Sequence, residues 1–167
     1  MQELELEKTY YLKSIPKEIE GITPTEIWDI YIPEDSPHAH LRLRKKGNHY
    51  MITKKQPKNT DVSEQIENTI PLTKDEFMAL ASCSNRQVRK NRYKAEINGH
   101  AAEVDVFSGK HKGLVLVDFE FKNSAEKNNF IAAKDYIDVT TLDTVAGGVL
   151  SSKTYSEILQ ELKTFGI

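Results

Sequence analysis

Acidic and basic residues in this chain recur at every second position of short segments, and the two signs keep to different segments. Glu3, Glu5 and Glu7 alternate with Leu4 and Leu6, Glu103 and Asp105 with Val104 and Val106, and Asp118 and Glu120 with Val117, Phe119 and Phe121. The basic counterparts are Arg42 and Arg44 beside Leu41 and Leu43, then Lys54 and Lys55, then Lys90, Arg92 and Lys94. Side chains two apart on a strand point the same way, so each segment carries one charged and one apolar face. Paired carboxylates on neighbouring strands repel unless a cation lies between them. Such hard oxygen ligands suit Mg²⁺ or Mn²⁺. Arginine and lysine on facing strands suit phosphate oxygens, and arginine can hold two at once. A site with both halves suits phosphoryl transfer, in which cations neutralise charge developing on the phosphoryl group.

The elements that must position these residues are mostly strands. Period-two segments run through Glu3–Glu7, Glu26–Ile32, His40–Arg44, His49–Lys55, Ser63–Ile70, Arg86–Ile97, Ala102–Ser108 and Leu114–Phe121. Gly47-Asn48 and Asn98-Gly99 are hairpin turn signals. Helices are fewer. Thr73 with Glu76 makes a capping box for a helix to Ala81, Ser124–Ala133 repeats the pattern loosely, and Tyr155–Phe165 gathers Ile158, Leu159, Leu162 and Phe165 on one face. Pro16–Glu20 predicts a short helical turn. The class is α+β: about eight antiparallel strands with a few flanking helices. Two arrangements satisfy the two-faced strands. An eight-stranded barrel turns the charges into a wet, tunnel-like interior with helices over the apolar outside. A sandwich leaves the charged faces in solvent.

Composition narrows the function. The chain has 167 residues, 38% hydrophobic and 29% charged, which predicts a single domain, 1–167. A formal net charge of −2 argues against a protein drawn as a whole to nucleic acid or an anionic membrane. The single cysteine, Cys83, fits a reducing compartment. The acidic, alternating N-terminus is not a signal peptide, and no apolar run approaches the roughly 20 residues of a spanning helix. The expectation is a soluble cytoplasmic protein, monomer or homodimer, with a small-molecule partner and neither nucleic acid nor membrane.

The same residues resemble the CYTH family, the triphosphate tunnel metalloenzymes. Glu5-Leu6-Glu7-Lys8-Thr9 occupies the place of the family's N-terminal Glu-x-Glu-x-Lys signature. Leu41-Arg42-Leu43-Arg44 matches its Arg-x-Arg strand, and Tyr50-Met51-Ile52-Thr53-Lys54-Lys55 its Tyr-x-x-Thr-x-Lys strand. Glu64-Gln65-Ile66-Glu67 before Pro71-Leu72-Thr73, then Lys90-Asn91-Arg92-Tyr93, then Glu103-Val104-Asp105-Val106-Phe107 follow in the family's order. Gly113-Leu114 with Asp118-Phe119-Glu120, and Asp138-Val139-Thr140, complete it. The resemblance implies an eight-stranded tunnel and metal-dependent hydrolysis of inorganic tripolyphosphate, thiamine triphosphate or a nucleoside triphosphate. It implies Glu5, Glu7 and Glu120 as holders of a catalytic Mg²⁺ or Mn²⁺, with Asp118, Glu103 and Asp105 supporting it or a second ion. It implies Arg42, Arg44, Lys55, Lys90 and Arg92 as phosphate ligands, and Glu5, Glu7, Lys90 and Arg92 as the catalytic set. A minority of the family are adenylate cyclases, which makes cyclisation of ATP the alternative reaction.

The chain departs from the pattern at Thr9, where the signature has lysine. A neutral hydroxyl cannot offset carboxylate repulsion as an ammonium does, and a tunnel that binds polyphosphate or nucleotide without turnover is the non-catalytic alternative. Gln65 stands where a carboxylate is common, Asp118 where Glu is usual, and Ala146-Gly147-Gly148-Val149-Leu150 where the family is Asn-rich. Several residues read as ordinary structure. Glu3 is a terminal surface charge and Lys94 a rim charge. Glu64 and Glu67 are balanced between site and surface. His38 and His40 are loop residues, and His100 and His111 are exposed. Trp28 and Tyr31 serve packing. Ser108–Gly113 is a hairpin loop that lacks the ending of a phosphate-binding loop. Cys83 has no paired base.

Overall fold

A computed structural model describes residues 2–37, 39–57 and 64–167. Its strands are β1 Gln2–Tyr11, β2 Thr25–Ile32, β3 Leu41–Lys46, β4 His49–Pro57, β5 Glu64–Leu72, β6 Gln87–Ile97, β7 His100–Ser108, β8 Val115–Glu120 and β9 Ile137–Asp138. Its helices are α1 Lys74–Ala81, α2 Ser124–Asn129, α3 Gly147–Leu150 and α4 Tyr155–Thr164. The protein is α+β, built on a nine-stranded antiparallel sheet in the order β5-β4-β3-β2-β6-β7-β8-β1-β9. The first half of β1 also pairs with β5, and its second half with β8. The ninth strand, β9, has two residues and shows no period for a sequence pattern to reveal. It adds to β1 beside Tyr10 and Tyr11.

Local chemistry explains most boundaries. At the β6–β7 hairpin Asn98 and Gly99 both take positive φ, 51° and 79°, as a tight two-residue turn demands. The Thr73 capping box opens α1, and a second one, Thr154 with Glu157, opens α4. The second helix is shorter than the pattern suggests. Its C-cap, Phe130, turns extended, and the Phe130 ring packs on Tyr10, Phe119 and Phe121 at centroid distances of 6.0, 4.6 and 5.1 Å. Burial of that ring outweighs another helical turn.

The outward apolar faces are covered in two places. Phe77 of α1 closes over Ile30 and Leu43. The α2–β9 connection, through Phe130 and Tyr136, closes over Tyr10, Val117 and Phe119. A third cluster lies on the face that carries the charges. Tyr11, Val88, Phe107 and Leu116 share faces with Thr9, Lys90, Asp105 and Asp118, and they pack against Leu150 of α3 and Ile158 and Leu162 of α4. The charged face is thus apolar toward one end, where the C-terminal segment seals it. Each fully buried Leu or Ile there contributes about 1.5–3 kcal/mol.

His111 belongs to this seal, contrary to the sequence expectation of an exposed loop residue. It is fully buried, and its Nε2–H lies 2.9 Å from the Leu150 carbonyl oxygen and 2.8 Å from that of Lys153. Burial pushes its pKa down. His100 is half-buried against the Phe130 ring.

Candidate active site

The charged face encloses a cavity of about 480 Å³. Strand parity brings its wall together. Arg42, Arg44 and Lys46 come from β3; Lys90, Arg92 and Lys94 from β6; Glu103 and Asp105 from β7; Asp118 and Glu120 from β8; and Glu7 and Thr9 from β1. Lys55 of β4 lines it and Lys54 does not. Glu67, His40, Tyr31 and Thr53 line it as well. The backbones of Glu3, Glu5 and Glu64 lie in paired strands, but their side chains lie outside the described residues, as does His38. Lys94 stands at the rim, its side chain 74% exposed.

One part of the wall is closed on itself. Arg44 and Asp29 form a buried two-point pair, Nε to Oδ1 and Nη2 to Oδ2, each 2.7 Å. Burial favours a protonated Asp29 carboxyl, but the guanidinium outweighs it and holds the pKa at about 2. Arg44 therefore serves Asp29 before any ligand. Asp29 went unnoticed in the sequence, although it is the one acid inside the apolar run Ile27–Ile32 and lies opposite Arg44 in register.

Arg42, two residues away on the same strand, is differently placed. Its Nη2 comes only within 3.9 Å of Glu67 Oε2. Its Nε is buried without a hydrogen-bond partner. A buried N–H without an acceptor costs about 1–3 kcal/mol. Lys46, not singled out in the sequence, adds a third cation on β3. Burial lowers its pKa, and Lys94, Arg92 and Arg44 lower it further.

The opposite wall is crowded with carboxylates. Arg92 reaches both Asp105 oxygens at 2.7 Å, pairs with Glu103 and lies 3.6 Å from Asp118. Lys90 pairs with Asp105, and Lys55 donates to Glu7 Oε1 at 3.1 Å. Asp105 is held well below the usual carboxylate range; burial opposes this, and Arg92 and Lys90 prevail. Asp118 goes the other way. Burial first, then the Glu7 and Asp105 charges, push its pKa up to about 7. Thr9 Oγ1 donates to Asp118 Oδ1 at 2.7 Å, so the hydroxyl in the signature position sits in the site beside the carboxylate. Thr9 is held by β9 and the residues after it: its N–H donates to Thr140 Oγ1 at 3.0 Å, and its carbonyl accepts from Val139 N–H at 2.9 Å.

A carboxyl whose pKa is raised by burial and by adjacent carboxylates marks a place short of positive charge. Glu7, Asp118 and Glu120 offer hard oxygen donors there, which fits a divalent metal ion. Among the described residues no three acid, histidine or cysteine groups converge as a ready-made cation cage. Glu7 and Asp118 are instead engaged by Lys55 and Thr9.

The strand order and the two-signed cavity define a class of phosphate-handling sheet proteins, and the comparisons agree. No protein-family model matches the chain. An inorganic triphosphatase from Nitrosomonas europaea is 30% identical over 128 residues, spanning 76% of this chain and 82% of that protein. A solved inorganic triphosphatase superposes with TM-score 0.65 at 23% identity, covering 89% of this chain and 95% of that one. A Hippeastrum adenylyl cyclase candidate with a dominant triphosphatase activity superposes with TM-score 0.51 at 10% identity, covering 74% and 82%. The chain belongs to the CYTH superfamily, the triphosphate tunnel metalloenzymes.

Proposed function

We propose that this protein is a metal-dependent triphosphatase acting on inorganic tripolyphosphate, with its curled sheet serving as the tunnel. The pairing of β1 with both β5 and β8 supports the tunnel reading. One observation carries the functional reading. The two walls of one cavity are unbalanced in opposite senses: among the described residues Arg42 comes only within 3.9 Å of a carboxylate, while burial and the Glu7 and Asp105 charges raise Asp118 to about 7. A triphosphate with a divalent cation would satisfy both at once.

In this reading Arg42, Lys55, Lys90 and Arg92 hold phosphate oxygens and stabilise the charge that gathers on the leaving group. Arg44 joins them, held at two points by Asp29 as Arg92 is by Asp105. Glu7, Asp118 and Glu120 would hold Mg²⁺ or Mn²⁺, with Glu5 beside them on β1. Glu103 and Asp105 act through Arg92 and Lys90, keeping those cations aimed across the cavity. A bound ion would supply charge neutralisation and a water of lowered pKa. Water attacks the terminal phosphorus, the bond to the bridging oxygen breaks, and orthophosphate and pyrophosphate leave. No protein nucleophile is required. Lys55, which donates to Glu7 here, would exchange that carboxylate for a phosphate oxygen once Glu7 held a cation.

The test is phosphate release from tripolyphosphate, ATP and thiamine triphosphate, with Mg²⁺ or Mn²⁺ and with EDTA. The expected result is metal-dependent release from tripolyphosphate that Glu7→Gln abolishes. Binding without release would favour the non-catalytic reading, for which Thr9 in place of an ammonium is the specific observation.

A further inference from the structure

The cations of the cavity wall are not equally engaged. Arg44 is paired with Asp29, Lys55 with Glu7, Lys90 and Arg92 with Asp105, and Lys94 with Glu103. Arg42 has Glu67 at 3.9 Å. Lys46 lines the same cavity and is half-buried in it. Among the described residues no ion pair or hydrogen bond engages its ammonium. The charges that act on it are those of Glu103, Lys94, Arg92 and Arg44. Glu103 is already shared, paired with Arg92 and 3.6 Å from Lys94. One shared carboxylate among these cations leaves an excess of positive charge around Lys46.

The sealed end of the sheet fixes where that excess lies. Arg42 stands opposite Tyr31 in register. Tyr31 meets α3 so closely that a Cβ on Gly147 would fall 1.9 Å from its hydroxyl. Arg42 is therefore at the end that the C-terminal segment closes. Arg44 and then Lys46 lie progressively away from it, and the Gly47-Asn48 turn follows Lys46. At a strand rise of about 3.3 Å per residue, Arg42 to Lys46 spans about 13 Å. The other wall runs the same way. On β6, Val88 belongs to the sealing cluster, Lys90 and Arg92 follow, and Lys94 ends the row with its side chain 74% exposed. Ile27 of β2 stands opposite Lys46 on one side and Lys90 on the other, so a single strand separates Lys46 from the β6 row.

We propose that Lys46 binds the outermost phosphoryl group of the triphosphate, the one farthest from the sealed end. This rests on the triphosphatase reading of the same cavity and adds to it a residue at the remote end of β3. An ammonium suits that place. It is a compact charge with three donors on a flexible stem, and it meets an anion from many directions. No carboxylate has to be displaced for the contact to form, so its cost is the ordering of one side chain. Lys55 differs, because it must first give up Glu7. Lys45 supplies an internal comparison. It carries the same charge one residue earlier, but strand parity puts it on the outer face, opposite Trp28 in register and off the cavity.

The experiment compares Lys46→Met, Lys46→Arg and Lys45→Met with the wild type. It reads KM for tripolyphosphate with Mg²⁺ or Mn²⁺, the inhibition constant of pyrophosphate, and the thermal midpoint of each variant. Lys46→Met keeps the apolar stem and removes the charge. It is expected to raise KM about tenfold, the size of a lost hydrogen bond between charged groups, with the midpoint little moved. Lys46→Arg is expected to keep KM within about threefold of the wild type, and Lys45→Met to leave it unchanged. Pyrophosphate is one phosphoryl group shorter and fills the inner positions, so its inhibition constant is expected to hold in Lys46→Met. Equal weakening of tripolyphosphate and pyrophosphate would place Lys46 elsewhere than at the outermost group and overturn the proposal. Equal effects of Lys46→Met and Lys45→Met would reduce Lys46 to general surface charge and overturn it too. If the wild type cleaves tripolyphosphate and Lys46→Met leaves KM unchanged, only this proposal fails. If the wild type neither binds nor cleaves tripolyphosphate, the triphosphatase reading fails and takes the proposal with it.

Discussion

The β2–β3 wall and the β6–β7–β8–β1 wall face the same cavity, and they handle their charges in opposite ways. On the first wall a buried arginine is matched to a buried aspartate at two 2.7 Å contacts, and its neighbour Arg42 is left with an N–H unmet. On the second wall burial, together with the crowding of Glu7 and Asp105, pushes Asp118 to about 7. The Asp29–Arg44 pair is a finished interaction and belongs to the fold. Arg42 and Asp118 are unfinished, and unfinished charges inside a cavity imply a ligand that carries both signs. Residues of the same type, two apart on one strand, differ in role because only Arg44 has a carboxylate opposite it in register.

The sharpest way to break this comparison is Asp29→Asn. It leaves the Arg44 charge buried and unpaired, and the expected loss is about 3–5 kcal/mol of stability in urea unfolding. Asp29→Asn with Arg44→Met should recover most of it. A loss below about 1 kcal/mol would mean that the pair is not a structural unit. Next come Arg42→Ala and Asp118→Asn, which should do the reverse. Each is expected to lower kcat/KM for tripolyphosphate about a hundredfold, with the thermal midpoint shifted by only a few degrees. A collapse of stability in either would erase the distinction between finished and unfinished charges.

A third prediction follows from acid. The Asp29 pKa in the folded chain, about 2, lies below its unfolded value near 3.8. The pair therefore contributes its full stability above about pH 4, and that contribution is lost as pH falls through 2. The shift corresponds to the order of 2 kcal/mol. Unfolding curves between pH 5 and pH 2 should fall more steeply for the wild type than for the Asp29→Asn, Arg44→Met variant. Parallel curves would show that Asp29 does not carry this dependence. The smallest expected effect is that of Thr9→Lys. An ammonium in place of a hydroxyl 2.7 Å from Asp118 relieves the crowded wall, and a few-fold gain in triphosphate affinity or turnover is expected. Unchanged kinetics would mean that Lys55 or another cation already supplies that charge.

Much of this was legible along the chain. The strands announce themselves because their faces alternate between charge and hydrocarbon, and the capping box at Thr73 and the turn at Asn98-Gly99 are local devices that need no distant partner. The charged wall was legible for the same reason: period two puts Arg42 with Arg44 and Glu103 with Asp105 on one side whatever the rest of the chain does. What the sequence could not reveal is pairing at a distance. That Asp29 meets Arg44, that His111 is buried against the end of α3, and that Gly147 exists to clear the Tyr31 hydroxyl are consequences of strand register and of the C-terminal segment folding back over one end of the sheet. Strand periodicity determined which residues share a face. Only the tertiary structure decided which of those charges are neutralised by a neighbour and which are left for a ligand, because burial and contact depend on residues far apart in sequence.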